Sequence, residues 1–318
     1  MTAVHTAARP IAAPAGRVTL KLAIDTTTPA AVLLTGFAPA LLGVLLAVER
    51  VGRVSPMLTV LLLAIPSLMN AAVASINDYV DYINGNDDPF NIAAEYDGPL
   101  AYHQVEDPKP VLYFGVGLLV AAGLMGAYVV WVTGPLPAVI GMVGAAIALT
   151  YSGGKYSISH LPIGEPVSGF TLGGLVPLGV YAALTGEVEL QVLYKAIPMM
   201  MIVAQFMLAN NTCDMDRDRY AGRKTLPILI GRAEAQRVAD ILNIVWIGQL
   251  ILVVANSYEK GLPVLVLALL TGVKGLFTTF RYDRTQKTKL IVTLALAQVA
   301  AAVAIGYPMA VAVHLLLS

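Results

Sequence analysis

Charge is the scarcest resource in this sequence. Only 13% of its 318 residues are Asp, Glu, Lys or Arg, while 57% are hydrophobic. A water-soluble domain carries about 25% charged residues, so the composition excludes an ordinary soluble globule. Cysteine is nearly absent too. Cys213 stands alone, which rules out an intrachain disulfide and a cysteine-built metal centre and leaves that residue as a small apolar side chain. Histidine is limited to four residues, none of them in the acidic clusters described below, so the ligands those clusters offer are oxygen. Net charge is zero and names no partner; no nucleic-acid partner is expected.

What the chain has is long apolar runs. Residues 1–16 are rich in Ala, Thr and Pro, hold no apolar run and no signal-peptide core, and read as a disordered tail. Arg17 to Asp25 mixes basic and apolar residues and suits a membrane surface. From there, residues 17–318 read as one all-α, polytopic transmembrane domain. Nine segments are long enough to span a hydrocarbon core of roughly 30 Å: 28–48, 55–77, 110–133, 135–152, 165–185, 190–211, 234–256, 261–280 and 289–316. The least secure boundary is at Gly134-Pro135, where one very short turn must divide two spans. With the N-terminus in the cytoplasm, 15 of the 20 lysines and arginines fall inside. Arg50, Arg53, Lys195 and Lys260 fall outside, and Lys274 lies within the eighth helix. That asymmetry fixes the orientation by the positive-inside rule and places the protein in the cytoplasmic membrane with its long loops, 78–109 and 212–233, facing the cytoplasm.

Those two loops hold the acids. The first begins NDYVDYINGNDD (77–88) and the second NNTCDMDRDRYAGR (210–223). Each follows a long apolar segment, opens on Asn-Asp or Asn-Asn, continues with spaced carboxylates and reaches a glycine, Gly85 or Gly222. The likeness reads as a weak internal repeat. Asp78 and Asp81 are three apart and share a helix face; Asn210, Asp214 and Asp218 form a second row at intervals of four. Asp216 points away from that row, and Asp87 can fold back through the turn at Asn84-Gly85-Asn86. Carboxylates beside a bilayer are costly and call for a role. Oxygen-only ligands suit a hard cation such as Mg2+, which takes one or two carboxylates and completes its shell with water and phosphate oxygen. Asp78, Asp81, Asp87, Asn210, Asp214 and Asp218 are the candidate metal ligands. Asn77 and Asn211 add neutral oxygen, and Lys155, Arg217, Arg223 and Lys224 offer positive charge to an anion on the same side. The loop YSGGKYSISHLPIGEP (151–166) brings Tyr151, His160 and Glu165 towards the same mouth, and Tyr82 can present its ring to a developing cation.

These motifs resemble, over nearly the whole chain, the UbiA superfamily of intramembrane aromatic prenyltransferases. NDYVDYINGND is similar to the variant found in the branch that prenylates 1,4-dihydroxy-2-naphthoate for menaquinone. So are Asn210, Asn211, Asp214, Asp218, Ala221, Gly222, Arg223, Thr225 and Leu226, and the Gly-Glu-Pro at 164–166. The resemblance implies nine transmembrane helices, Mg2+ as cofactor, a polyprenyl diphosphate and an aromatic acceptor as substrates, catalysis by Asp78, Asp81, Asp214, Asp218 and Lys155, and transfer with loss of the acceptor carboxylate to give demethylmenaquinone. Another acceptor such as 4-hydroxybenzoate or a chlorin, or cyclisation of the prenyl chain, remains open, and a transporter is the less favoured reading. Two positions depart from the branch: Ala101 after Gly98-Pro99-Leu100, and Cys213 before Asp214, both where members commonly carry arginine. Gly169, Gly173 and Gly174 offer close helix packing or a groove for the prenyl tail.

Overall fold

The computed structural model describes residues 18–85, 98–152, 157–220 and 222–318. Among these, every regular element is helical. The helices are α1 (Leu20–Thr27), α2 (Pro29–Val51), α3 (Pro56–Ile83), α4 (Lys109–Thr133), α5 (Leu136–Ser152), α6 (Gly164–Thr185), α7 (Leu190–Cys213), α8 (Met215–Tyr220), α9 (Arg232–Ser257), α10 (Glu259–Arg281) and α11 (Gln286–Leu317). Eight of them are long and apolar enough to cross a membrane. The exception among the expected spans is α5, whose 17 residues reach about 25 Å at 1.5 Å per residue. The narrow turn expected beside it is there: α4 ends at Thr133, and Gly134, at φ +93°, turns the chain into α5 within two residues.

The helices divide into an inner and an outer set. In α2, α6, α7 and α11, 50–56% of the apolar window is buried, against 17–33% in α3, α4, α9 and α10. Leu42, Tyr181, Met199, Trp246, Val303 and Tyr307 meet in the central cluster. Outward, Trp131, Leu124, Phe277, Leu267 and Ile244 stand exposed, as lipid-facing positions must. Two inner helices contain a π-helical turn, Leu33–Phe37 in α2 and Gly169–Leu175 in α6. Such bulges depart from the ordinary helical ladder and re-aim the residues beyond them. Glycines let neighbours fit against these turns. A Cβ on Gly36 would lie 3.0 Å from the Pro66 carbonyl oxygen. All three of Gly169, Gly173 and Gly174 press against Met200, so close packing of α6 on α7 is their use.

One end of the bundle is closed by a polar network. The Lys195 ammonium lies 2.8 Å from a Glu49 oxygen and 5.0 Å from the centre of the Tyr258 ring. Tyr258 donates to Glu49 at 2.7 Å, and Tyr307 donates to the Lys195 carbonyl at 2.7 Å. Arg50 pairs with Glu187 and Glu189 beside them. A cavity of about 180 Å³ opens beside the network, lined by Glu49, Arg50, Tyr181, Glu189 and Lys195 among others. Tyr258→Phe keeps the ring and removes one hydrogen bond to a carboxylate, so detergent-solubilised protein should lose about 1–2 kcal/mol of stability, read as a lowered melting temperature. An unchanged melting curve would mean the network contributes nothing.

This network also orients the molecule. Glu49 closes α2 and Lys195 opens α7, and residues 52–55 carry the chain straight from α2 into α3. α3 runs 28 residues and α7 runs 24 residues away from that end. Both acidic motifs therefore lie at the opposite end of the bundle.

Candidate functional site

The first part of the motif, residues 77–83, lies within a helix where a loop beginning at residue 78 is expected. α3 continues to Ile83, so Asp78 and Asp81 belong to its last turns, where three-residue spacing does put them on one face. Each has an interaction partner in the structure. Asn77, Asp78, Asp81 and Tyr82 are all half-buried. The Tyr82 hydroxyl donates to the Val105 carbonyl at 2.6 Å and ties the helix end to the following loop. His103 and Asp25 meet at 2.6 Å, fastening that loop to α1. Ala101 is buried, at 2% exposure, next in the chain to Leu100 of the apolar set Leu22, Leu100, Val105 and Val111. Asp87 and Lys155, expected as ligand and catalytic residue, lie outside the described residues, as do the tail and Gly153-Gly154.

The second motif is more fully defined. α7 ends at Cys213 and α8 begins at Met215, yet the helical ladder barely breaks. The Asp214 amide donates to the Asn210 carbonyl at 2.9 Å, and the Asp218 amide to the Asp214 carbonyl at 2.8 Å. The row Asn210, Asp214, Asp218 thus survives the junction. Asp214 Oδ2 accepts from the Lys289 ammonium at 2.9 Å, and Asp218 Oδ1 accepts from Arg223 Nη1 at 3.1 Å. The other oxygen of each, Asp214 Oδ1 and Asp218 Oδ2, is buried with no hydrogen-bond partner. Burial, chiefly, and the nearby Asp214 charge push the Asp218 carboxyl up to about 6, against the opposing pull of Arg223. Asp216, as expected, lies apart from the row. It is exposed and bonds Arg232 Nη2 at 2.8 Å, while Arg232 Nη1 donates to the carbonyls of Thr212 and Arg284.

The loop after α5 packs onto this motif. The Lys224 amide donates to the His160 carbonyl at 2.8 Å, while the Lys224 side chain is exposed. Burial and the Arg223 charge hold the His160 ring below its usual range, so it stays neutral near pH 7 and adds no charge to an anion site. Glu165 is 3% exposed; its Oε1 accepts from Asn211 Nδ2 at 2.8 Å, and its Oε2 is unpartnered. Asn211 therefore orients Glu165. Tyr151 lies in the last turn of α5, half-buried, with its hydroxyl against Gly164. Arg217, half-buried, is also engaged.

Three residues at this end escaped the sequence reading: Lys289, Arg284 and Arg232. Arg284 is fully buried; its Nη1 lies 3.4 Å from Asp240 Oδ1, and its Nε and Nη2 lack partners. The available signal was the density of basic residues in RYDRTQKTK, 281–289, which the positive-inside rule alone explains.

A hard divalent cation suits what is present. Bare, buried carboxylate oxygens on Asp214 and Asp218 are the oxygen donors Mg2+ selects. Among the described residues, no three or more His, Cys, Asp or Glu side chains form a ready cluster for an ion; Asp87 is outside them.

Helices that carry acid rows to one end of an apolar bundle define an intramembrane enzyme-like scaffold, and comparison gives it a family. Residues 36–299 match the UbiA prenyltransferase family, and the chain belongs to it. Over 203 residues it is 32% identical to the 1,4-dihydroxy-2-naphthoate octaprenyltransferase of Bacillus subtilis (strain 168), a match spanning 64% of this chain and 64% of that relative's length. It is 26% identical over 268 residues to the Gallus gallus UbiA prenyltransferase domain-containing protein 1, spanning 80% and 78% of the two chains. A solved UbiA homologue from Archaeoglobus fulgidus bound to GPP and Mg2+ shares the fold with TM-score 0.61 at 17% identity, over 91% of this chain and 99% of that one.

Proposed function

We propose that this protein transfers a polyprenyl group from an allylic diphosphate to 1,4-dihydroxy-2-naphthoate, with Mg2+, releasing diphosphate and carbon dioxide and giving the quinol form of demethylmenaquinone. The observation that carries this reading is the pair of buried, unpartnered carboxylate oxygens on Asp214 and Asp218 at the exit of a central helix. The family and the Bacillus subtilis relative support the reaction class and the acceptor. In the proposed arrangement all nine expected segments cross the membrane, α5 included, with the N-terminus and both motifs at the cytoplasmic face of the cell membrane. The asymmetry of lysine and arginine supports that orientation.

Asp78, Asp81, Asp87, Asn210, Asp214 and Asp218 would hold the metal. When bound, Mg2+ draws negative charge from the departing diphosphate. Arg223 already lies at the Asp218 carboxylate, and with Lys155, Arg217 and Lys224 it adds fixed positive charge where the leaving group's charge accumulates. Asn77 and Asn211 keep neutral donors and acceptors near the head group, Asn211 by steadying Glu165. Tyr82 and Tyr151 border the same mouth, where aromatic faces favour a developing allylic cation. The apolar bundle interior keeps water from that carbon.

The test supplies purified protein with a labelled polyprenyl diphosphate and, separately, dihydroxynaphthoate, 4-hydroxybenzoate, a chlorin or no acceptor, with product read by mass spectrometry. A product of dihydroxynaphthoate plus prenyl minus carbon dioxide, lost on chelation of Mg2+, is expected. Transfer to a different acceptor would overturn the acceptor assignment. Absence of any Mg2+-dependent release of diphosphate would overturn the reaction.

A further inference from the structure

Each acid of the second motif already has a basic partner before any ligand arrives: Asp214 has Lys289, Asp218 has Arg223 and Asp216 has Arg232, as Asp240 has Arg284. Lys289 is the unusual member. It comes from the start of α11, 75 residues beyond its partner, and its side chain is only 6% exposed. A lysine is almost never buried without a partner. A buried ion pair also contributes little net stability against an apolar pair of similar volume, so stability alone does not account for it.

The neutral pairing constrains what can bind. A divalent cation on the bare Oδ1 of Asp214 and Oδ2 of Asp218 brings two positive charges to a patch where Lys289 and Arg223 have already cancelled both carboxylates. Such a cation is welcome only with an anion. A diphosphate provides one, and it offers oxygen to the Lys289 ammonium in place of Asp214. A compact ammonium with three donors on a flexible stem suits that exchange. Arg284, whose carbonyl shares the Arg232 guanidinium with that of Thr212, is fully buried at the same end with Nε and Nη2 unpartnered.

We propose that Lys289 is a diphosphate-binding residue that neutralises Asp214 until substrate arrives, and that it thereby couples metal binding to diphosphate binding. The proposal rests on the prenyl-transfer reading, but its test does not depend on turnover. Mn2+ in place of Mg2+ is titrated against the full-length protein by electron paramagnetic resonance, alone and with a non-reacting thiolodiphosphate analogue of the prenyl substrate. Wild type should bind Mn2+ weakly alone and about 10–100-fold more tightly with the analogue, the range by which groups around a metal tune its affinity. Lys289→Met should bind Mn2+ about tenfold more tightly alone and should lose most of the enhancement by the analogue. Lys289→Arg, which keeps the charge, should restore it. Equal enhancement in wild type and Lys289→Met, or weaker metal binding by Lys289→Met alone, would overturn the proposal. Failure of wild type to bind the analogue at all would overturn the prenyl-transfer reading as well, and so separates the two.

Discussion

Asp218→Asn should lower prenyl transfer by about 10²–10³-fold, the usual cost of removing one preorganised group that stabilises charge in the transition state. The substitution preserves volume, and the amide oxygen can still accept from Arg223 at the position Asp218 Oδ1 now holds. What it removes is the charge on Oδ2, the buried oxygen without a partner. Stability should change little, because Arg223 is about one third exposed and remains hydrated. The contrast with Asp214→Ala is instructive. That change removes the carboxylate at 2.9 Å from the buried Lys289 ammonium, and breaking a buried pair costs about 3–5 kcal/mol. Lost activity in Asp214→Ala thus mixes chemistry with unfolding, and Asp218→Asn is the cleaner measurement. Turnover within about threefold of wild type, at normal expression, would remove Asp218 from the chemistry.

The second large effect is structural. Gly173→Val should destabilise the protein by about 3 kcal/mol or more, at or above the usual range for overpacking. A Cβ there would lie 2.4–2.6 Å from the backbone of Met199 and Met200, and helix backbone cannot step aside. Gly174→Ala meets only the flexible end of the Met200 side chain, at 2.6 Å from its Cε. Met200→Ala should therefore rescue Gly174→Ala and leave Gly173→Val unrescued, with melting temperature as the readout. Rescue of both would mean that α6 and α7 shift freely past each other.

How much of this was legible beforehand depended on what each residue's signal was made of. Long apolar runs placed every membrane-length helix, because hydropathy acts on whole segments and survives errors of a few residues at either end. Helix ends were harder. α3 runs through Asp78 and Asp81, since acids in the final turns at a water interface do not stop a helix, and hydropathy falls before the hydrogen bonds do. The row Asn210, Asp214, Asp218 was readable because four-residue spacing is a local property. The Lys289–Asp214 pair was not, since nothing local joins residues 75 apart. Glu165 showed the same limit in reverse. Its place at a helix start was an adequate local account, and only packing reveals that Asn211 holds it.

The division between inner and outer helices sets the two halves of the site on unequal footings. Asp214 leaves from α7, half of whose apolar window is locked among neighbours, whereas Asp78 and Asp81 ride on α3, with 17% of its window so enclosed. The second motif thus stands on the more enclosed helix and the first on the one with the freer flank. Sequence change along the lipid-facing side of α3 can alter how Asp78 and Asp81 are held without disturbing the foundation on which α7 stands.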